Sequence, residues 1–193
     1  MKPIIIAGLG RCGTTLVRDT FEKSGYIKAR RFLKVIKPNS YEEGIIYKTH
    51  AYPPDALQSD VKLIFLYDDP YDIIYSTYKQ MNRWGKNHHI HFESSEYVEN
   101  KSVLRKDTLN LEKMFRAWMS KKPFKFLSVP YKSLSNIENQ QKIASFTNHE
   151  FKIEDFKKRT PVSHQSREFK IMKDVYLKSY QLYNQYPVLK EWK

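Results

Sequence analysis

The stretch from Pro3 to Phe21 constrains this chain more than any other. Pro3-Ile4-Ile5-Ile6-Ala7 is a continuous apolar run, the pattern of a strand covered on both faces. It opens into Gly8-Leu9-Gly10-Arg11-Cys12-Gly13-Thr14-Thr15, and Leu16, Val17, Thr20 and Phe21 then follow helical spacing. A strand that feeds a glycine-rich turn and a helix start makes an anion site. The glycines let the backbone curl, and the free amides and the helix dipole point at a phosphate or sulfate group.

Nucleotide-hydrolysing proteins carry such a loop as G-x-x-x-x-G-K-S/T, the lysine reaching the outer phosphates. Gly8 and Gly13 keep that spacing here, but Thr14 stands at the lysine position and the cation is Arg11, inside the loop. A turn that merely packs a helix on a sheet is the plainer alternative.

The remaining pattern predicts an α/β chain. Ile45-Ile46-Tyr47-Lys48-Thr49-His50 reads as a short buried strand ending in polar groups, and the Pro53-Pro54 pair forces a loop after it. Lys62 to Tyr67 is a third strand. It runs into Asp68-Asp69-Pro70, with Pro70 in the first turn of a helix reaching about Arg83. Leu111, Met114, Phe115 and Trp118 mark an amphipathic helix over Thr108–Lys121. Phe124 to Val129 is a fourth strand, leading to Tyr131, and a helix covers Ile137–Thr147. A long final helix, Arg167–Tyr186, presents Phe169, Met172, Tyr176, Tyr180 and Tyr183 on one face. The basic segment Ala29 to Lys34 reads as a loop with a short helix. The polar stretch Gly85–Asp107, with His88, His89 and His91, reads as an exposed loop rather than a metal site.

Charge narrows the partners. Against 21 Asp+Glu stand 34 Lys+Arg, a net +13, which implies affinity for anions: nucleic acid, an acidic membrane surface or a polyanionic small molecule. One cysteine excludes an intrachain disulfide framework and suits a reducing cytoplasm. Met1-Lys2 runs straight into the first strand, predicting no leader peptide. No apolar run approaches the ~20 residues that span a bilayer.

Four of these stretches, in order, resemble the sulfotransferases. Their phosphosulfate loop reads Pro/Gly-Lys/Arg-Ser-Gly-Thr-Thr; Arg11, Gly13, Thr14 and Thr15 match it, with Cys12 for the serine and Gly10 for the proline. Lys48-Thr49-His50 matches the K-T-H of the next strand. Asp69, Pro70, Asp72 and Ser76 match R-D/N-P-x-D-x-x-x-S, but Asp68 replaces the arginine that grips the nucleotide 3′-phosphate. Tyr131 and Leu134 match Y-E-D-L, with Lys132 and Ser133 for the two acids.

The resemblance implies a single domain over 1–193. Its expected fold is a three-layer, P-loop-like α/β fold with a central parallel sheet flanked by helices. It implies transfer of a sulfuryl group from 3′-phosphoadenylyl sulfate to a hydroxyl or amine of a small molecule or carbohydrate. His50 would be the general base, and Lys48 and Arg11 the cations at the reacting group. Gly10, Arg11, Cys12, Gly13, Thr14, Thr15, Ser76 and Tyr131 would hold the donor. Basic residues of the tail, Lys157, Lys158, Arg159 and Arg167, are candidates to offset Asp68. The Gly85–Asp107 stretch would be a candidate lid over the acceptor; no metal is implied, and nucleic acid is not an expected partner. Two other readings stand beside this one: an NTP-dependent phosphotransferase or NTPase using Asp68 and Asp69 for Mg²⁺, and a non-catalytic anion- or nucleic-acid-binding protein.

Overall fold

A computed structural model describes residues 1–84 and 102–192. The candidate lid lies mostly outside them, as do His88, His89 and His91. The four predicted strands form as β1 (Ile4–Gly8), β3 (Ile45–Thr49), β4 (Lys62–Tyr67) and β5 (Phe126–Pro130). Two short edge strands, β2 (Ile27–Lys28) and β6 (Lys190–Trp192), complete a six-stranded sheet of order β2-β3-β1-β4-β5-β6. Every pairing is parallel except β5 with β6.

The continuous apolar runs are explained by what covers them. Ile4 and Ile6 of β1 face one core and Ile5 and Ala7 the other, and all four are fully buried. On the first face, helix α1 (Thr14–Lys23) brings Val17 and Phe21, and α4 (Ile137–Thr147) brings Ile143. On the second lie α2 (Pro70–Trp84), α3 (Leu111–Met119), α5 (Arg167–Met172) and α6 (Leu177–Tyr183). The result is three layers, helices on both sides of a mostly parallel sheet. The second core is the aromatic one. Trp118 stacks on Phe65 at 4.6 Å and donates its indole N–H to the Ala51 carbonyl at 3.2 Å. Emptying such a site costs about 3–5 kcal/mol.

Local chemistry shifts several predicted boundaries. α3 starts at Leu111 rather than Thr108, because Asn110 is left-handed (φ 51°) and Asp107 accepts from the Leu111 and Glu112 amides. The long final helix is instead two short ones. At the break Tyr176 leaves helical geometry (φ −105°, ψ 9°), and its buried hydroxyl donates toward the Val103 and Lys106 carbonyls at 2.6 and 2.8 Å. Ala29 to Lys34 carries no helix: the Leu33 amide donates to the Lys48 carbonyl at 3.0 Å, laying the segment beside β3. β6 is held through Trp192, which stacks on Phe126 at 5.6 Å and donates to Ser128 Oγ at 2.9 Å. Among the described residues no helix is long and apolar enough to cross a membrane.

Candidate functional site

β1 lies inside the sheet with β3 and β4 as its neighbours. The loop that follows it therefore meets the carboxyl ends of both, where ligands gather in parallel sheets. Three loop residues adopt positive φ: Gly10 (83°), Arg11 (46°) and Gly13 (86°). They turn the chain back onto α1. Gly13 caps that helix without a side-chain hydrogen bond, so no side chain of the cap competes for the first-turn amides.

Packing explains the small residues. A Cβ on Gly8 would stand 2.6 Å from Cys12 Sγ and from Thr14 Cγ2, and one on Gly13 would stand 2.5 Å from the Tyr131 ring. The Cys12 thiol is buried and donates to the Leu66 carbonyl at 3.1 Å. Burial pushes its pKa up to about 12, so it is neutral and ties the loop to β4. Thr14 is buried as well, its methyl turned to Gly8. Of the two threonines it is the exposed Thr15 that presents a hydroxyl to the mouth of the loop.

Lys48 and His50 come to the same place from β3. Lys48 Nζ donates to Thr15 Oγ1 at 2.7 Å, and its pKa is lowered by burial and then by Arg18. His50 Nδ1 lies 2.7 Å from the Gly8 carbonyl. A carbonyl only accepts, so Nδ1 carries a proton, and it is Nε2 that accepts whenever the ring is neutral. Phe32 lies against His50 with ring centroids 5.2 Å apart. Nothing in the sequence singled out this phenylalanine, since it is an aromatic residue within a basic loop.

The other side of the loop faces β4, α2 and β5. Arg11 Nε donates to Ser76 Oγ at 3.1 Å; burial lowers the Arg11 pKa, with Arg159 adding to the effect. Asp68 is 5% exposed and pairs with Arg159 at 3.0 Å. Burial pushes its carboxyl up to about 7 against the opposing pull of Arg159. Arg159 also lies 4.2 Å over the Tyr131 ring, whose hydroxyl donates to the Lys157 carbonyl at 2.9 Å. Tyr131 thus stands between the loop glycine and a tail arginine. A cavity of about 320 Å³, lined in part by Asp68, Asp69, Asp72, Tyr131, Lys132 and Arg159, opens beside it.

The carboxylates here already have partners. Asp69 accepts from the Tyr71 amide at 2.8 Å and Asp72 from the Val162 amide at 2.7 Å, so they fix the start of α2 and the tail. Among the described residues no group of three or more His, Cys, Asp or Glu is placed to hold a metal ion. Of the tail cations proposed to offset Asp68, Arg159 makes the contact. A scan against protein-family models finds no match for this chain, and a search of curated proteins finds no significantly similar sequence.

Proposed function

We propose that this protein is a sulfotransferase that moves a sulfuryl group from 3′-phosphoadenylyl sulfate to a hydroxyl or amine. The observation that carries the reading is the meeting of two separate sequence motifs. Lys48 and His50, at the end of β3, each bond to the β1–α1 segment at 2.7 Å. One places a cation, the other a base, at a loop shaped for an anion.

The fit to the donor differs between its two ends. For the 5′-phosphosulfate the loop offers positive-φ backbone, the α1 amino end, Arg11 and Lys48. For the 3′-phosphate, Ser76 would supply a hydroxyl and Arg159 a cation partly neutralised by Asp68, with Arg11 tying Ser76 to the loop. Tyr131 and the adjacent cavity would take the adenine.

In the proposed step the acceptor oxygen or nitrogen bonds to sulfur while the bond from sulfur to the bridging oxygen breaks. The electron pair stays on the nucleotide, giving adenosine 3′,5′-bisphosphate. His50 Nε2 takes the acceptor proton as the new bond forms. Lys48 stabilises the charge that grows on the bridging oxygen, a gain realised in the transition state.

Calorimetry and thermal unfolding with adenosine 3′,5′-bisphosphate, set against Mg-ATP, test the reading. The bisphosphate should stabilise more than Mg-ATP, and at one hundred times its dissociation constant it should add about 2.7 kcal/mol over the free protein. A labelled donor incubated with sugars, phenols and amines should then transfer label to one class. Stabilisation by Mg-ATP alone would overturn the proposal in favour of an NTP-using protein.

A further inference from the structure

We propose that the opposite end of the sheet holds a second ligand site, one that takes a small anionic amphiphile with a single carboxylate or sulfate head on an aromatic or acyl body. A groove of about 820 Å³ opens there, between the amino ends of β4 and β5, helix α4 and the segment that leads into β6. β4 runs from Lys62 to Tyr67, and strands rise ~3.3 Å per residue, so the groove lies roughly 17 Å from the phosphate-type loop. It cannot be a lobe of the first site.

Its chemistry has two parts. The apolar share of the lining comes from Leu57, Phe146 and Leu189, with Val61 and Leu127 buried behind them. The walls carry Lys62, Lys125 and Lys142, with hydroxyls from Ser59 and Ser145. Glu191 is the single acid in the lining; Asp60, between Ser59 and Val61, does not line it. Among the described residues none of the three lysines forms an ion pair. Lys62 lies instead over the Phe146 ring at 5.0 Å. The Lys62 pKa is lowered by burial first and then by Lys2, while Glu191 pulls it up and Lys125 down to lesser degrees.

Three cations beside the apolar side chains of Phe146 and Leu189 match a ligand with one anionic end and one greasy end. The charge would be met by the lysines and the body covered by Phe146 and Leu189. The volume falls within the ~300–1,000 Å³ of small-molecule sites, which favours a compact ligand over a protein segment. This site does not depend on the reaction proposed for the loop.

The test uses 8-anilinonaphthalene-1-sulfonate on the full chain, followed by fluorescence and calorimetry. The dye should saturate one site per chain. Lys125 and Lys142 are exposed, so the double variant Lys125→Glu/Lys142→Glu should keep the unfolding midpoint while weakening the dye by about tenfold, or ~1.4 kcal/mol. Dodecanoate should displace the dye, and neither dodecyltrimethylammonium nor adenosine 3′,5′-bisphosphate should do so. Unchanged affinity in the double variant would overturn the proposal, as would displacement by the bisphosphate. Displacement by an oligoglutamate peptide and not by dodecanoate would overturn it in favour of an acidic protein partner.

Discussion

In His50→Asn the side-chain amide stands where Nδ1 stood, keeps an N–H for the Gly8 carbonyl and loses the basic ring nitrogen. Turnover in the proposed reaction should fall by ~10²–10⁴. Calorimetric affinity for adenosine 3′,5′-bisphosphate should stay nearly constant, because the His50 ring bonds to the loop backbone and does not line the cavity beside Tyr131. Unchanged turnover would assign the proton to another group. Asp68 makes a different kind of prediction. Its carboxyl is pushed up to about 7, above the ~3.9 of an unfolded chain, so between those values the folded protein binds a proton that the unfolded chain does not. Stability on this account falls as pH rises from about 4 to about 7 and is level above that. Thermal unfolding of the wild type and Asp68→Asn at pH 5, 6, 7 and 8 should show the wild type gaining on the variant as pH falls. The opposite slope would mean that the Arg159 guanidinium, rather than burial, controls the group.

At the scale of elements, the β1–α1 loop is shaped as much by Tyr131 as by its own residues. Gly13→Ala should destabilise by ~1–2 kcal/mol through its positive φ alone, and further through the crowding of Tyr131. Urea unfolding of Gly13→Ala in wild-type and Tyr131→Ala backgrounds separates the two terms. The cost should be smaller where the ring is gone, and equal costs would show that the ring simply moves aside. Most of this element was legible beforehand, because a glycine-rich turn between an apolar run and a helical pattern is a local signal. So were β3 and β4, whose apolar runs reflect cover on both faces. β2 and β6 were not: two and three residues at a sheet edge carry no period of their own and depend on their neighbours' hydrogen bonds. The same limit applies to the site. Lys48 and His50 could be read from three adjacent letters, whereas the Asp68–Arg159 pair spans 91 positions and the place of Phe32 beside His50 depends on how a loop is laid against β3. The final helix misled because its aromatic stripe is real, yet Tyr176 reaches its two carbonyls only where the helix is broken.

Across the whole molecule the net charge of +13 sets how ligand binding responds to salt. A ligand held in a shaped site by a few fixed groups should lose less than about tenfold in affinity between about 50 and 200 mM salt. A polyanion contacted at six to ten phosphates loses roughly 10³–10⁵ over that range. Titration of adenosine 3′,5′-bisphosphate at both salts distinguishes them, and a polyanion-like loss would favour a surface that binds by charge alone. The site also has a consequence for the rates of folding. Its contacts join residues far apart in the chain: Gly8 to His50 across 42 positions, Cys12 to Leu66 across 54 and Arg11 to Ser76 across 65. Closing loops of this span costs more chain entropy than forming local contacts, which favours their closing late. On that basis the proposed anion site is expected to form after the folding barrier, leaving adenosine 3′,5′-bisphosphate without a partner before it. Stopped-flow experiments at saturating adenosine 3′,5′-bisphosphate should therefore find slower unfolding and an unchanged refolding rate. A ligand that sped refolding would mean that the loop, β3 and β4 assemble early, as the nucleus on which the remaining strands condense.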